Sequence, residues 1–264
     1  MPVWLYEIRP LFAAIIMMVF IETLSLTGLF LARRFVLPRF HYSEGINDAI
    51  SGTVQAIGVF YGVTVGLIAV AVWNTNATAS DLVSKEASAI GGLYRNVRGL
   101  PSPLREDLSA KLREYTRFVI EQDWPAQERG QIPDGGTVIL NEFQDKLFAY
   151  EPNNAAEAQL YGEALRGFDT LTDSRRLRLN AVNGNLSDIM WAVIWVGAVI
   201  SIGVAYLFNI QDAKMHATLI ALMGGFLAIV LFMILINDRP FFGKAKISPD
   251  TYQMLLNKLP MIGK

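Results

Sequence analysis

The chain has 264 residues, a formal net charge of −1 and no cysteine. It therefore lacks the clustered cationic excess that binds nucleic acid, and it excludes disulfide frameworks and thiolate chemistry. Hydrophobic residues make up 52% of the sequence, more than a purely aqueous domain of this length needs.

The apolar residues gather in four blocks, Leu11–Ala32, Ala49–Trp73, Ile189–Phe208 and Met215–Ile236, whose only formal charge is Glu22. Each block has the ~20 residues that a helix needs to cross a ~30 Å hydrocarbon core. The expected fold class is all-α: a polytopic membrane protein with four transmembrane helices and a soluble helical bundle between helices 2 and 3. Residues 1–74 would hold membrane helices 1 and 2, residues 75–188 the soluble region, residues 189–236 membrane helices 3 and 4, and residues 237–264 a cytoplasmic tail. The first block is too long for a signal-peptide core and no small-residue cleavage site follows it, so it reads as a retained helix. No lipidation motif is present. Arg33, Arg34, Arg39 and Lys214 lie on the short-loop side. Arg9, Lys85, Arg175, Arg176, Arg178, Arg239, Lys244 and Lys246 lie on the other. That balance favours a cytoplasmic soluble region, hence a multi-pass protein of the cell (inner) membrane.

In the first block, Glu22 is an intramembrane acid, and a charge there costs at least ~2.5–3.5 kcal/mol, which makes it a functional candidate. It reads either as a cation or proton site or as an acid hydrogen-bonded to Gln55, Ser51 or Ser201. In the second block Gly58, Gly62 and Gly66 form a small-xxx-small ladder, extended by Ser51 and Gln55 at one end and by Ala69 and Trp73 at the other. Such a ladder serves close helix packing or a pore wall. In an oligomer both can hold, with the glycines at subunit contacts and Ile57, Phe60, Tyr61 or Thr64 facing the axis as a dewetting gate.

The middle segment reads as helical throughout. Leu108, Leu112, Tyr115 and Val119 recur at helical spacing in a helix that starts at Leu104 and is expected to end at Trp124-Pro125. A turn at Pro133-Asp134-Gly135-Gly136 leads to a shorter helix marked by Leu140, Phe143 and Leu147. A last helix carries Leu160, Ala164, Phe168 and Leu171. Glu86 falls on the buried stripe of the helix that continues from the second block, so it needs a partner from Arg95, Arg113, Arg117 or the 175–178 run, unless it serves as a gate. Arg175, Arg176 and Arg178 read as a lipid-headgroup anchor or as a cationic ring at a pore mouth.

Catalytic machinery is thin. His41 and His216 are expected in short loops at membrane edges without a ligand cluster, and no metal-binding, nucleophile or Walker motif occurs. The Asp134-Gly135-Gly136 stretch lacks the strand and helix context of a phosphate loop. No catalytic residue, cofactor or metal is expected, and the chain reads as a non-enzyme.

Several pieces taken in order carry a resemblance. They are Gly58-Val59-Phe60-Tyr61-Gly62-Val63, Val70-Ala71-Val72-Trp73, Lys85-Glu86-Ala87, Leu93-Tyr94-Arg95, Tyr115, Trp124-Pro125, Arg175-Arg176-Leu177-Arg178 and Arg239-Pro240-Phe241-Phe242-Gly243. Over nearly its whole length the chain resembles the bestrophin-like family of bacterial membrane proteins, distant relatives of bestrophin channels. The resemblance implies a homo-oligomer, a pentamer favoured, with the second membrane helix of each subunit around a pore for inorganic ions. It favours anions and extends the conduit through a cytosolic helical region. In bestrophins a Pro-Phe-Gly segment leads into an acidic calcium clasp. Here Lys244, Ala245 and Lys246 follow instead, so calcium gating is not implied. The rival readings are a non-conducting sensor or scaffold and a proton-coupled transporter using Glu22.

Overall fold

The computed structural model describes residues 4–40 and 45–259, and among these every regular element is helical. In chain order the α-helices are α1 (Trp4–Glu7), α2 (Pro10–Leu31), α3 (Ile46–Arg98), α4 (Leu104–Phe118), α5 (Trp124–Gln127), α6 (Gly135–Phe148), α7 (Ala155–Ala181), α8 (Asp188–Ala205), α9 (Ala213–Asn237) and α10 (Asp250–Lys258), with π-helical turns over Ala32–Val36 and Val119–Asp123 and a 3₁₀ turn over Leu37–Arg39. Four helical stretches, Pro10–Arg39, Ile46–Arg98, Asp188–Ala205 and Ala213–Asn237, are long and apolar enough to cross a membrane. The chain divides into two units, one built from the residues up to Thr75 with Asn185–Asp238, the other from Asn76–Gly184 with the chain from Arg239 on.

The first unit contains α1, α2, the start of α3, α8 and α9. Pro10 opens α2, where its missing N–H costs nothing. Buried Ala13, Met17, Ile21, Ser25 and Leu29 repeat every four residues along α2. This stripe packs chiefly on α9, whose inner face includes Ile220, Gly224, Leu227 and Leu231. The outward faces stay apolar (Leu11, Phe12, Val19 and Phe20 on α2, Leu222, Phe226 and Ile229 on α9), as lipid requires and water would not. Asp238, just past α9, is buried and fully engaged. It accepts from Tyr6 Oη at 2.8 Å, Trp191 Nε1 at 3.3 Å and the Leu186 amide at 2.7 Å. His216 belongs to α9 rather than a loop: it is buried, with Nδ1 3.2 Å from Arg33 Nη1 and Nε2 3.2 Å from the Ala205 carbonyl. Arg33 also donates to the Ile210 and Gln211 carbonyls, tying the α8–α9 turn. His41 lies outside the described residues.

The second unit is a helical bundle. Its core joins the stripe Ile90, Leu93, Tyr94 and Val97 of α3 to Leu108, Leu112 and Tyr115 of α4, and includes the stacked pair Phe143–Phe168 at 5.4 Å. The start of α7 is closed reciprocally. Asn154 Oδ1 accepts from the Glu157 amide, and the Glu157 carboxylate accepts from the Asn153 amide and Tyr150 Oη. These bonds hold the Glu157 carboxyl below its ordinary value, Tyr150 contributing most.

Two sequence expectations change here. Trp124-Pro125 does not end its helix. A π-helical turn over Val119–Asp123 widens the backbone and α5 continues to Gln127, accommodating a proline that has no N–H to give an i−4 carbonyl. The C-terminal stretch is not a free tail, because Phe241, Tyr252 and Leu259 are buried in the bundle core.

Candidate functional site

With about 100° between successive residues, the residues singled out on α3 fall on different faces. Val65, Ile68 and Val72 are buried and mark the face turned into the unit. Tyr61 lies one turn before Val65 on that face. Its hydroxyl donates to the Ile194 carbonyl of α8 at 3.0 Å, and it packs against the cluster of Ala198, Ile202 and Leu227. A Cβ on Gly197 would sit 2.4 Å from the Tyr61 ring, so the α3–α8 approach needs glycine there. Half-buried Ile57 shares this face. Tyr61 is therefore a packing residue between α3 and α8. Phe60, 76% exposed, and Thr64 lie off this face. Gly58, Gly62 and Gly66 present an open surface on which a Cβ would meet nothing within 4 Å. One flank of α3 is thus committed to α8, while the flanks with the glycine ladder and with Phe60 and Thr64 remain open.

Glu22 reaches none of the partners expected for it. Gln55 Nε2 donates to Ser51 Oγ within α3, and Ser201 Oγ has no bond. Glu22 lies instead in a notch of α9, where a Cβ on Gly225 would stand 3.0 Å from Oε1 and one on Gly224 would stand 3.5 Å from Oε2. Oε2 is buried without a hydrogen-bond partner.

In the second unit Glu86, Asp123, Arg175 and Arg178 meet in the core, with exposures of 0%, 0%, 5% and 0%. Arg178 Nε donates to Glu86 Oε2 and its Nη1 to Gln127 Oε1 at 2.7 Å; its Nη2 lies 3.3 Å from Asp123 Oδ2. Arg175 Nη1 donates to Asp123 Oδ2 at 2.8 Å and to Tyr115 Oη at 3.2 Å, while Tyr115 Oη donates to Glu86 Oε1 at 2.5 Å. The Arg178 guanidinium also lies over the Trp124 and Tyr252 rings, at 6.0 and 5.9 Å. Two carboxylates and two guanidinium groups cancel in charge, which is what makes their burial tolerable. Burial and then the negative charge of Glu86 push the Tyr115 phenol above its ordinary value, and Tyr252 rises for the same reasons. Burial opposes the charge on Arg178, yet the facing Glu86 carboxylate prevails and holds it well above its ordinary value.

Of the partners considered for Glu86, this network selects Arg178; Arg113 donates to Tyr94 Oη instead. It also corrects the reading of the arginine run. Arg175 and Arg178 point into the bundle and can neither anchor headgroups nor ring a pore mouth, because their charges are spent on Glu86 and Asp123. Arg176 alone stays exposed, 3.4 Å from Asp173. Asp123, Gln127 and Tyr252 were missed by sequence reasoning. Asp123 is brought inward by the π turn, which no periodicity announces, and Tyr252 comes from a segment read as a tail.

A family model for the Bestrophin-like domain matches residues 19–252. No curated protein matches the sequence. Among solved structures the chain is similar to variants of a bacterial Bestrophin homolog from Klebsiella pneumoniae. One has a TM-score of 0.69 at 11% identity, covering 98% of this chain and 100% of that one. Another has a TM-score of 0.68 at 12% identity, covering 95% and 99%. At such identities the likeness shows a shared fold.

Proposed function

Because the chain belongs to the bestrophin-like family, we propose that it assembles into an oligomeric ion channel, a pentamer with α3 of each subunit around the pore. The observation that carries this reading is the division of α3. One flank is sealed against α8 through Tyr61, while the glycine ladder and the face of Phe60 and Thr64 are left uncovered within a membrane-spanning segment. Neighbouring subunits would close on Gly58, Gly62 and Gly66. Phe60 and Thr64, with Ile57 at their edge, would form the apolar constriction that gates by dewetting. Anions are the favoured permeant ions, in keeping with the family relationship, and the bundle of the second unit is placed on the cytoplasmic side of the inner membrane.

The test is current across a planar bilayer holding the purified protein under an asymmetric KCl gradient. Discrete openings with a reversal potential toward the chloride equilibrium value are expected. Silence from folded, inserted protein would favour a non-conducting sensor or scaffold.

A further inference from the structure

A buried histidine held between a guanidinium and a carbonyl marks a device that the channel reading does not use. His216, 1% exposed, lies in the first turn of α9. Its Nδ1 is 3.2 Å from Nη1 of Arg33, and its Nε2 is 3.2 Å from the Ala205 carbonyl. A guanidinium only donates and a carbonyl only accepts. Nδ1 therefore offers its lone pair and Nε2 carries the hydrogen, so the site is built for the neutral ring in one tautomer. Ala205 is the last residue of α8, where a carbonyl lacks an intrahelical donor, and either charge state of the ring can supply one at Nε2. Only Nδ1 tells the two states apart.

The same arginine holds the turn between α8 and α9. Arg33 Nη1 donates to the Ile210 carbonyl at 2.9 Å and Nη2 to the Gln211 carbonyl at 3.3 Å. The adjoining Asn209 is clasped by α3, since Asn47 Nδ2 donates to its carbonyl at 3.2 Å and Asn47 Oδ1 accepts its amide at 2.9 Å. The end of α2, the start of α3 and the α8–α9 turn thus meet at residues 209–211, and His216 fixes the arginine that joins them. No acid stands ready to absorb a second positive charge: among the described residues no carboxylate bonds to Arg33 or His216. Tyr206, at the end of α8, donates to the Ser25 carbonyl, and the Asp212 carboxylate accepts the Lys214 amide. Arg34, Lys214 and, on α3, Asp48 are exposed. Glu22 lies in its notch at Gly224 and Gly225, more than two turns farther along α9. A proton on Nδ1 would set two N–H groups and two positive charges against each other at a ring closed to water.

We propose that Arg33 and His216 form a proton-operated latch on the short-loop end of the first unit. A proton taken from solvent by Nδ1 turns the ring into an imidazolium that faces the guanidinium. Arg33 then swings out, releases the Ile210 and Gln211 carbonyls and loosens the turn that holds the start of α3. The latch is closed while His216 is neutral and opens as falling pH protonates it. It goes beyond the channel reading and does not depend on conduction.

The test follows the ring and the turn together in the full chain in lipid nanodiscs. The chain has no cysteine, so a nitroxide on Gln211→Cys, an exposed side chain whose backbone carbonyl is kept, reports the turn alone. The chain has two histidines, so His41→Gln with nitrogen-15 histidine leaves His216 as the one ring seen by magnetic resonance. At about pH 8 the hydrogen should sit on Nε2 and the nitroxide should be immobilised. Toward about pH 5, across the range where histidine titrates, the ring should protonate and the nitroxide gain mobility with the same midpoint. His216→Gln, whose amide can accept from Arg33 and donate to Ala205, should stay immobilised and lose the pH step. Arg33→Gln removes the facing cation and should lose the step as well. A hydrogen on Nδ1 at the higher pH, a ring that stays neutral throughout, protonation without a mobility step, or a step that persists in His216→Gln would each overturn the proposal while leaving the channel reading intact.

Discussion

Glu86→Gln keeps the shape of the side chain and removes its charge, so it isolates the electrostatic part of the buried network. In the native bundle Glu86 receives Arg178 Nε and Tyr115 Oη, and none of these groups touches water. Without the carboxylate, two guanidinium groups share Asp123, and Arg178 keeps only Gln127 at 2.7 Å and Asp123 at 3.3 Å. Removing one member of a buried ion pair costs about 3–5 kcal/mol, because the remaining charge stays desolvated. The Tyr115 bond to a charged acceptor becomes a neutral one as well, so the upper part of that range is expected. Glu86→Leu with Arg178→Met removes both charges, leaves Arg175–Asp123 balanced, and should cost clearly less than the sum of the two single changes. The assay is equilibrium denaturant unfolding of the full chain in micelles, run as a double-mutant cycle. A loss below about 1 kcal/mol for Glu86→Gln, or additive singles, would refute the view that this pair is coupled and desolvated.

Other outcomes follow from the same geometry. Phe60→Ala should raise conductance or leak, whereas Tyr61→Phe should leave single-channel current unchanged and cost about 1 kcal/mol, the net value of its bond to Ile194; equal effects on current would undo the assignment of faces. Gly197→Ala, forced against the Tyr61 ring, should destabilise by about 1–3 kcal/mol, while Gly62→Ala, with open space around it, should not lower the stability of the dissociated chain. Tyr115 and Tyr252 have raised values, so the stability from their buried neutral phenols is complete below the ordinary tyrosine value near 10 and is lost as pH rises toward theirs. Tyrosinate absorbance should accordingly develop in two stages, the later one coinciding with unfolding, and a single stage would contradict their burial. Asn154→Ala should cost about 1 kcal/mol of bundle stability by thermal melting, the usual worth of a helix N-cap.

What the sequence disclosed followed from how strong each physical signal was. The four membrane helices were legible because some twenty apolar residues in a row have few other uses. The need for a partner at Glu86 was legible because a carboxylate on a buried stripe is costly. Arg178 could be narrowed only to a group of candidates, since partner choice depends on a fold that brings α3 and α7 together. The α3 face was half legible. The glycine spacing was visible, but the commitment of Tyr61 to α8 depends on Gly197, a glycine distant in sequence whose role appears only once the helices touch. The arginine run misled because three cations beside a membrane usually serve the surface, and the acid that draws two of them inward, Asp123, sits in a π turn. The tail misled because its apolar residues, Phe241, Tyr252 and Leu259, are too sparse to announce a helix with a core to complete.

That tail sets an order of assembly. The bundle is discontinuous in sequence: its first part ends at Gly184, both membrane helices α8 and α9 follow, and Tyr252 and Phe241 arrive last against Trp124. During synthesis the Trp124 face must wait for Phe241 and Tyr252 until both hydrophobic spans have been made. The second unit thus cannot finish before both spans have been made, and a chain stopped at Asp238 would carry all four spans with its bundle left open.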